Sequence, residues 1–433
     1  MEARIKPRVL KGFRDFLPQE EGNRRWMLEK IANAFETCGF EPIQTPTIEY
    51  LDILMGKYGE EGEKLLYHFK DHGQREVALR YDLTVPLARF VAQHRDIPKP
   101  FKRYQIGTVF RAEKPAHGRF REFVQCDADC VGSASFLADA DCISAGILAL
   151  KALGLENFRV RIGHRGVLNA ILEYFSIHNH VPVLRALDKL EKQGEEAVIS
   201  EIQSLGIESE RAKRLIQTIR CKEGLTVARQ VSPLAVKNLS LVVEALSAMG
   251  LSNYVTIDLS IARGLDYYTG PVFETKLLDL PQMGSVMSGG RYDSLLGMFC
   301  GEDLPAVGIS IGVDRLFSAL VELGLIRGAN QAVFVVLCPF EEVGLPLSLR
   351  VLQMLRQALV PSEVVVDFPS KPKKQLTYAG RRRARFAILV GGREVHENSL
   401  TIKDLSTGEQ KSMGVEETIN FVLKEFGAQR GNR

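Results

Sequence analysis

The chain has 433 residues, of which 45% are hydrophobic and 25% are charged, and this length allows two or three domains with substantial cores. Its 56 basic and 53 acidic residues leave a formal net charge of +3, so any contact with nucleic acid must come from local basic patches. No apolar run approaches the length of a membrane span, and the first residues lack the apolar core of a secretory signal. We therefore expect a cytoplasmic protein.

The seven cysteines are scattered along the chain and form no CxxC pair. Cys126 and Cys130 are the nearest to each other, but no second pair and no nearby histidines complete a zinc site. We therefore expect reduced thiols and no structural metal. By the same argument His164, His178 and His180 are expected to be ordinary helix or surface residues.

The predicted elements begin with a helix over residues 20–38, where apolar residues recur at helical spacing and Gly39 follows as a C-cap. An extended stretch, several strands and a helix over about residues 85–93 come next. Residues 176–250 are rich in Leu, Glu, Lys and Arg and predict a helical insertion. Strand signals then resume, which favours an α+β domain with an antiparallel sheet flanked by helices. After a linker near residues 326–331, alternating strands and helices predict a small α/β domain with a parallel sheet core.

Residues 107–129, GTVFRAEKPAHGRFREFVQCDAD, predict a long antiparallel hairpin whose loop is KPAHG. Alternation along the second strand places one polar set of side chains on one face: Arg119, Arg121, Phe123, Gln125, Asp127 and Asp129. The opposite face is apolar, with Phe120, Val124, Cys126 and Ala128. An aromatic ring among arginines suits a planar anionic ligand such as a nucleotide. The alternative is an ordinary amphipathic hairpin with one solvated face.

Five blocks in order along the chain carry a family resemblance: LRYDLTVPLAR, FRAEKPAHGRFREFVQCD, ARGLDYYTG, GGRYDSLL and PAVGISIGVDRL. Together they resemble class II histidyl-tRNA synthetases over nearly the whole chain. The resemblance implies a class II catalytic domain over residues 1–325, with the helical insertion at about 176–250, and an α/β anticodon-binding domain over residues 329–433. It also implies the activity: histidine is activated with ATP to histidyl-adenylate and pyrophosphate, and is then transferred to the 3′ end of tRNA(His).

Amino-acid activation brings the substrate carboxylate to the α-phosphate of ATP, which enters as its Mg²⁺ complex. Fixed cations around that phosphate supply most of the stabilisation of the transition state. The resemblance assigns the ATP-binding roles as follows: Arg111 to the α-phosphate, Glu113 to the adenine end, Arg119 to the outer phosphates, Phe123 to stacking on adenine, and Arg315 to the other face of adenine and the γ-phosphate. Arg263 lies on the amino-acid side of the phosphate and is, with Arg111, a predicted catalytic residue. For Arg315 the alternative is an arginine that closes an exposed helix turn.

Selection of histidine needs a carboxylate for the ammonium group and hydrogen-bond partners for the two ring nitrogens. The resemblance implies a histidine site with Asp82, Thr84 and Gln125 around the amino group, Asp129 and Tyr268 against the ring, and Tyr267 nearby. Asp127 and Asp129 share the strand face of Gln125. The alternative for either aspartate is a solvated strand end.

The resemblance also implies contacts with tRNA and with a second subunit. The hairpin loop from Lys114 to Gly118, together with Arg121, would approach the acceptor end. A basic run in the C-terminal domain would attract phosphates: Lys371, Lys373, Lys374, Arg381, Arg382, Arg383 and Arg385. The roles of the three consecutive arginines stay open. A homodimer is expected, with the first long helix and the strand PTIEY at its interface.

Two other functions are compatible with parts of the pattern. One is a catalytically silent relative that serves as the regulatory subunit of an ATP phosphoribosyltransferase in histidine biosynthesis; such relatives usually lack the C-terminal domain and the ATP-binding arginines, and this chain has both. The other is a synthetase-like RNA-sensing module, which would be expected beside kinase or other domains. We therefore favour the ligase.

Overall fold

The structure, a computed structural model, describes residues 5–55, 65–115, 120–221, 223–262, 267–301, 303–326 and 333–431. The chain divides into two units, residues 1–327 and residues 328–433. Within the described ranges, none of the helices is long and apolar enough to cross a bilayer.

The first unit contains a large sheet, a small sheet and surrounding helices. Its strands are β1 (Glu41–Pro42), β2 (Ile48–Tyr50), β3 (His68–Lys70), β4 (Glu76–Leu79), β5 (Phe101–Phe110), β6 (Glu122–Val131), β7 (Phe158–His164), β8 (Val255–Ile257), β9 (Pro271–Leu277), β10 (Ser285–Arg291) and β11 (Ala306–Gly312). Its α-helices include α1 (Pro18–Thr37), α2 (Thr84–Gln93), α3 (Phe136–Ala152), α4 (Arg165–Tyr174), α5 (His180–Leu187), α6 (Leu190–Gln193), α7 (Glu195–Ser204), α8 (Ser209–Arg220), α9 (Glu223–Val231), α10 (Pro233–Ala248), α11 (Gly297–Cys300) and α12 (Val313–Glu322).

Helix α1 follows the predicted spacing closely. Proline occupies its first position, where a missing N–H costs nothing. Met27, Ile31 and Phe35 are fully buried on one side and join the main core. The helix ends before Gly39, which takes a φ of +76°, a conformation that glycine adopts without steric cost.

The eight strands of the large sheet run in the order β1-β5-β6-β11-β10-β9-β7-β8. The inner pairs are antiparallel, and the edge pairs β1–β5 and β7–β8 are parallel. The antiparallel sheet flanked by helices predicted from the sequence is confirmed. The hairpin differs in its bounds: β5 begins at Phe101, six residues before the predicted start, and ends at Phe110, and β6 begins only at Glu122, so Arg111, Glu113 and Arg121 lie outside the strands. Arg103 and Gln105 are buried in this strand, which hides its alternation from sequence reasoning.

Strand β6 is buried on both faces for most of its length. Its apolar face, with Cys126, Ala128 and Cys130, packs into the main core beside α1 and α3. On the other face Asp127 and Asp129 are each only 3% exposed. The interpretation of these aspartates as a solvated strand end is therefore wrong, because both carboxylates lie inside the fold.

The predicted helical insertion lies between α4 and β8. In residues 175–254 the described positions contain helices and no strand. The short helix α6 contacts the sheet through Glu191, which lies 2.5 Å from the guanidinium of Arg161 and also pairs with Lys276. These ion pairs connect the insertion to strands β7 and β9.

The second unit contains strands β12 (Val335–Pro339), β13 (Ser362–Val364), β14 (Phe386–Val390), β15 (Ser399–Asp404) and β16 (Gln410–Gly414), with helices α13 (Leu345–Gln357), α14 (Pro372–Arg381), α15 (Gly392–His396) and α16 (Val415–Gly431). Its sheet has the order β13-β12-β14-β15-β16. The first three strands are parallel, as predicted, and the hairpin β15–β16 extends them antiparallel. The basic run predicted from the sequence lies on α14 and on the residues that flank it at both ends.

Candidate active site

Two adjoining cavities lie on the face of the large sheet, over strands β6, β10 and β11. The first has a volume of about 370 Å³ and the second about 260 Å³. Both are lined by the same four residues at their border, namely Arg111, Gln125, Ser288 and Ser310. A ligand with two parts could therefore occupy both cavities and place their junction beside Arg111.

Arg111 lies between two aromatic rings at this border. Its Cζ is 4.3 Å from the ring centroid of Tyr81 and 4.9 Å from that of Phe123. The hydroxyl of Tyr81 donates to Glu113 at 3.1 Å. The first cavity thus combines a cation, a carboxylate and an aromatic ring on one wall, a set that can hold an anionic group and a planar base.

The start of α12 also contributes to the lining of the first cavity. Arg315 lines the cavity and donates to the carbonyl of Ser285. Its neighbour Asp314 accepts hydrogen bonds of 2.6 Å from Arg14 and Arg24. Sequence reasoning missed both of these arginines, because they lie 300 and 290 residues from their partner and no local pattern distinguishes them.

One carboxylate in the lining of the second cavity is fixed by the start of helix α2. Asp82 Oδ1 accepts hydrogen bonds from the backbone N–H groups of Thr84 at 3.1 Å and Val85 at 3.0 Å. Gln125 Nε2 donates to Ser310 Oγ at 2.9 Å. Among the residues that the structure describes, none donates to Gln125 Oε1, so this oxygen can accept from a ligand such as an ammonium group.

Two carboxylates lie side by side in the wall of the second cavity. Asp129 faces the guanidinium of the buried Arg103 at 2.6 Å and accepts a hydrogen bond from the hydroxyl of Tyr292. Asp127 lies two positions earlier on the same strand, and burial together with the charge of Asp129 raises its pKa to about 7. A Cβ at Gly308 would lie 1.8 Å from Asp129 Oδ1, so only glycine fits opposite this carboxylate.

Paired tyrosines complete the second cavity. The rings of Tyr267 and Tyr268 have centroids 4.4 Å apart, and Tyr267 meets Tyr292 edge-on at 6.3 Å. Both line the cavity. An apolar wall with phenolic hydroxyls next to carboxylates suits an aromatic ligand ring that carries polar nitrogens.

The structure brings most of the predicted site residues together. The first cavity collects Arg111, Glu113, Phe123 and Arg315, and the second collects Asp82, Thr84, Gln125, Asp129, Tyr267 and Tyr268. Arg119 and Arg263 lie outside the described residues, as do residues 116–118 of the hairpin loop. Sequence reasoning missed Tyr292 and Ser310, which line the cavities, and Arg103, which faces Asp129 from β5.

The predicted tRNA-binding residues of the hairpin differ in their surroundings. Lys114 is exposed. Arg121 donates to the carbonyl of Glu113 at 2.9 Å, and its side chain packs against Gly12. Arg121 therefore connects the hairpin to the N-terminal segment, and its contact with tRNA stays a prediction.

The basic run of the second unit is partly paired. Lys374 contacts Asp367, and Arg385 lies 2.7 Å from Asp404. Arg382 forms a two-pronged pair with Glu363 at 2.9 and 3.1 Å, which gives one of the three consecutive arginines a structural role. Lys371, Lys373 and Arg381 are exposed.

The cysteines and histidines outside the cavities have ordinary environments. All seven cysteines are free thiols, as predicted. His164 caps helix α4 by accepting from the N–H of Gly166 at 3.0 Å. His178 and His180 contact Glu173 at 2.9 and 2.8 Å.

Comparison with known proteins gives a matching family model for each unit. Residues 12–316 match the family model described as histidyl-tRNA synthetase, and residues 334–425 match the one described as anticodon binding domain. The chain is 43% identical over 428 residues to a histidine–tRNA ligase of Wolinella succinogenes, with 95% of this chain and 96% of the relative covered. It is 41% identical over 426 residues to a histidine–tRNA ligase of Rhodopirellula baltica, with 94% and 96% covered.

A solved structure agrees with these sequence relatives. The crystal structure of histidyl-tRNA synthetase from Nostoc sp. PCC 7120 matches with a TM-score of 0.86 at 32% identity, covering 98% of this chain and 100% of that one. The blocks noted in the sequence, the two cavities and these matches point to one conclusion. The chain belongs to the histidyl-tRNA synthetase family.

Proposed function

We propose that the protein is a histidine–tRNA ligase, a class II aminoacyl-tRNA synthetase that forms histidyl-adenylate from histidine and ATP and then charges tRNA(His). The observation that carries the proposal is the pair of adjoining cavities that share Arg111. One cavity offers cations and an aromatic ring, and the other offers carboxylates and tyrosines. Such a pair suits a nucleotide and an amino acid that react where the cavities meet.

Activation would take place beside Arg111. The histidine carboxylate attacks the α-phosphorus, a bond forms between them, and pyrophosphate leaves with the electrons of the broken bond. A guanidinium held between Tyr81 and Phe123 is preorganised to stabilise charge that develops on the phosphate. We assign adenine and the outer phosphates to Phe123, Glu113, Arg315 and Arg119, and the amino-acid side of the phosphate to Arg263. Mg²⁺ would enter bound to ATP.

Histidine would bind in the second cavity with its amino group near Asp82, Thr84 and Gln125. The fixed Asp82 carboxylate and the available Gln125 oxygen are both acceptors, which an ammonium group needs. Asp129 and Tyr268 would face the imidazole, with Tyr267 nearby. A site built to satisfy these donors rejects side chains that lack them, since its own polar groups would be left unpaired.

The remaining assignments follow from the family. We propose that residues 1–325 form the catalytic domain, with its insertion at about 176–250, and that residues 329–433 read the anticodon. Lys114 and Arg121 would contact the acceptor end. A homodimer would use α1 and β2, where the apolar side chains of Ile48 and Tyr50 are 46% and 54% exposed. We place the enzyme in the cytoplasm.

The regulatory-subunit alternative has less support. The relatives that match about 95% of the chain are named histidine–tRNA ligase, and the match to the anticodon-binding family covers the second unit. The ATP-binding arginines expected to be lost in a silent relative are present in the sequence.

Aminoacylation tests the proposal. Purified protein is incubated with ATP, Mg²⁺, radiolabelled histidine and a tRNA(His) transcript, and acid-precipitable label is measured. We expect label that depends on ATP and tRNA(His) and is absent with a tRNA of another specificity. A folded protein that transfers no histidine under these conditions would favour the regulatory alternative.

A further inference from the structure

The carboxylate of Asp127 is an unexplained polar group in the wall of the second cavity. Asp127 is 3% exposed, and its side chain lines the cavity together with Gln125 and Asp129. Within the described part of the chain, no group donates a hydrogen bond to its Oδ1. A buried acceptor without a donor costs about 1–3 kcal/mol, so an unpaired carboxylate oxygen at a cavity indicates a ligand that supplies the donor.

Asp129, two residues further along, differs from Asp127 in its partners. It faces the buried Arg103 at 2.6 Å and accepts from the hydroxyl of Tyr292. Replacing either partner would leave a buried charge or dipole uncompensated. Asp129 thus has a structural function in holding two strands and a tyrosine, whatever else it contacts. Asp127 has a hydrogen bond with Ser310, and its Oδ1 atom has acceptor capacity left for a ligand.

The charges around Asp127 favour a donor-rich ligand. Burial raises its pKa, as do Asp129 on the same strand and Asp82 just before α2, whereas Arg103 on β5 and a hydrogen bond from the Ser310 hydroxyl lower it. Burial, followed by the charges of Asp82, Asp127 and Asp129, raises the pKa of the Tyr267 hydroxyl to about 12. Three acidic groups therefore act on one small cavity in the absence of substrate. A ligand with N–H groups and positive charge would relieve this repulsion.

We propose that Asp127 accepts a hydrogen bond from an imidazole N–H of the histidine substrate and is a specificity-determining residue of the amino-acid site. The inference rests on the proposed histidine activation. Asp82, Thr84 and Gln125 are assigned to the amino group, so the free oxygen of Asp127 is available to the ring. Asp129 then orients the cavity wall through Arg103 and Tyr292 in addition to facing the ring.

The test compares histidine with its two ring-methylated forms, Nπ-methylhistidine and Nτ-methylhistidine, in pyrophosphate exchange. The wild-type enzyme should use poorly the analogue whose methyl group lies on the nitrogen that contacts Asp127, because the methyl group replaces the N–H and collides with the carboxylate. In Asp127→Ala the kcat/KM for histidine should fall about tenfold to a hundredfold, which corresponds to the loss of a charge-assisted hydrogen bond. The preference for histidine over one methyl analogue should fall by about tenfold or more, because the carboxylate no longer excludes the methyl group.

Two control variants separate recognition from folding. Asp141→Asn removes a partly exposed carboxylate on α3, outside both cavities, and should leave all these values within about twofold of wild type. Asp127→Asn keeps the size of the side chain and should still raise the KM for histidine while the KM for ATP changes less than about twofold. This variant serves as the test if Asp127→Ala does not fold.

The outcomes are distinct. The inference would be overturned if Asp127→Ala kept the wild-type preference for histidine over both methyl analogues. It would also be overturned if Asp127→Asn left the KM for histidine unchanged. A uniform loss towards all three substrates would also overturn it, because a purely structural residue affects them alike. Failure of the wild-type enzyme to exchange with histidine would instead contradict the proposed function.

Discussion

Two buried arginines support the walls of the candidate active site. Arg80 is 1% exposed and donates at 2.8 Å to the backbone carbonyls of both Thr45 and Thr108. Arg103 is fully buried opposite Asp129. A guanidinium has five N–H donors in a fixed plane, which lets a single side chain connect several strands. Loss of Arg103 would leave the buried charge of Asp129 uncompensated, and loss of Arg80 would leave buried carbonyls without donors.

At the residue scale, His164 predicts how stability depends on pH. Burial lowers its pKa from 6.5 to about 4, so the unfolded chain takes up a proton below pH 6.5 while the folded chain does not. The folded state therefore loses stability as pH falls through this window, by about 2 kcal/mol between pH 7 and pH 5. In His164→Asn, where asparagine can still cap α4, this loss should be absent.

Urea unfolding at pH 7, 6 and 5 checks this expectation. The single tryptophan of the chain, Trp26, lies in α1 of the same unit, so its fluorescence reports on the unfolding of that unit. His178→Asn, which changes an exposed ring, should follow wild type. If the free energies of unfolding of wild type and His164→Asn changed with pH in parallel, the assignment of the pH dependence to His164 would be contradicted.

Site residues that share one strand could be predicted from the sequence, and those that meet across strands could not. Alternation alone placed Phe123, Gln125 and Asp129 on one face, because side chains on a strand alternate regardless of what the strand pairs with. Arg103 and Tyr292 approach Asp129 from β5 and from the end of β10. Their role depends on strand order and register, which one sequence does not contain.

At the scale of elements, strand β6 carries both halves of the site. Phe123 lies in the first cavity, Gln125 in both, and Asp127 and Asp129 in the second. Residues two positions apart along a strand are about 7 Å apart, and this spacing sets the distance between neighbouring site residues on β6. Burial of both faces of β6 was not predictable, because helices and neighbouring strands decide which polar residues are enclosed.

The contact between α1 and α12 predicts an effect on ATP binding. Arg24 is 4% exposed and donates to Asp314, next to Arg315 in the first cavity. Arg24→Met should lower the free energy of unfolding by about 3 kcal/mol, because the buried Asp314 loses its buried guanidinium partner and keeps only the partly exposed Arg14. It should also raise the KM for ATP several-fold through the altered start of α12, with little change in the KM for histidine.

A neighbouring arginine provides the control for this prediction. The side chain of Arg25 is 79% exposed and pairs with Glu21 on the surface of the same helix. Arg25→Met should change stability by less than about 0.5 kcal/mol and leave both KM values unchanged. If Arg24→Met gave the same result, the ion pairs at Asp314 would have no influence on the ATP site.

At the scale of the whole molecule, the two units have separable chemistry. The cavities lie entirely in residues 1–327, and the exposed basic residues of α14 and its flanks lie in residues 328–433. Amino-acid activation should therefore depend on the first unit, and tRNA charging on both. The boundary near residue 327 was predictable from composition and alternation, whereas the pairing of Arg382 with Glu363 required the structure.

A charge-removal experiment tests this division. The triple variant Lys371→Ala, Lys373→Ala and Arg381→Ala should lower kcat/KM for tRNA by about tenfold or more and reduce its salt dependence, because fewer phosphates are neutralised. Pyrophosphate exchange should stay at the wild-type rate. The matched control removes three basic residues elsewhere in the unit, Arg350, Arg356 and Lys411. An equal loss of charging in the control would contradict the assignment of α14 to tRNA.

Pyrophosphate exchange into ATP, with each of the twenty amino acids offered singly and no tRNA present, tests the central claim most directly. The proposed function predicts exchange with histidine and none above background with the other nineteen. Exchange with a different amino acid would contradict the assignment of the second cavity. Silence with all twenty in a folded protein would contradict activation itself.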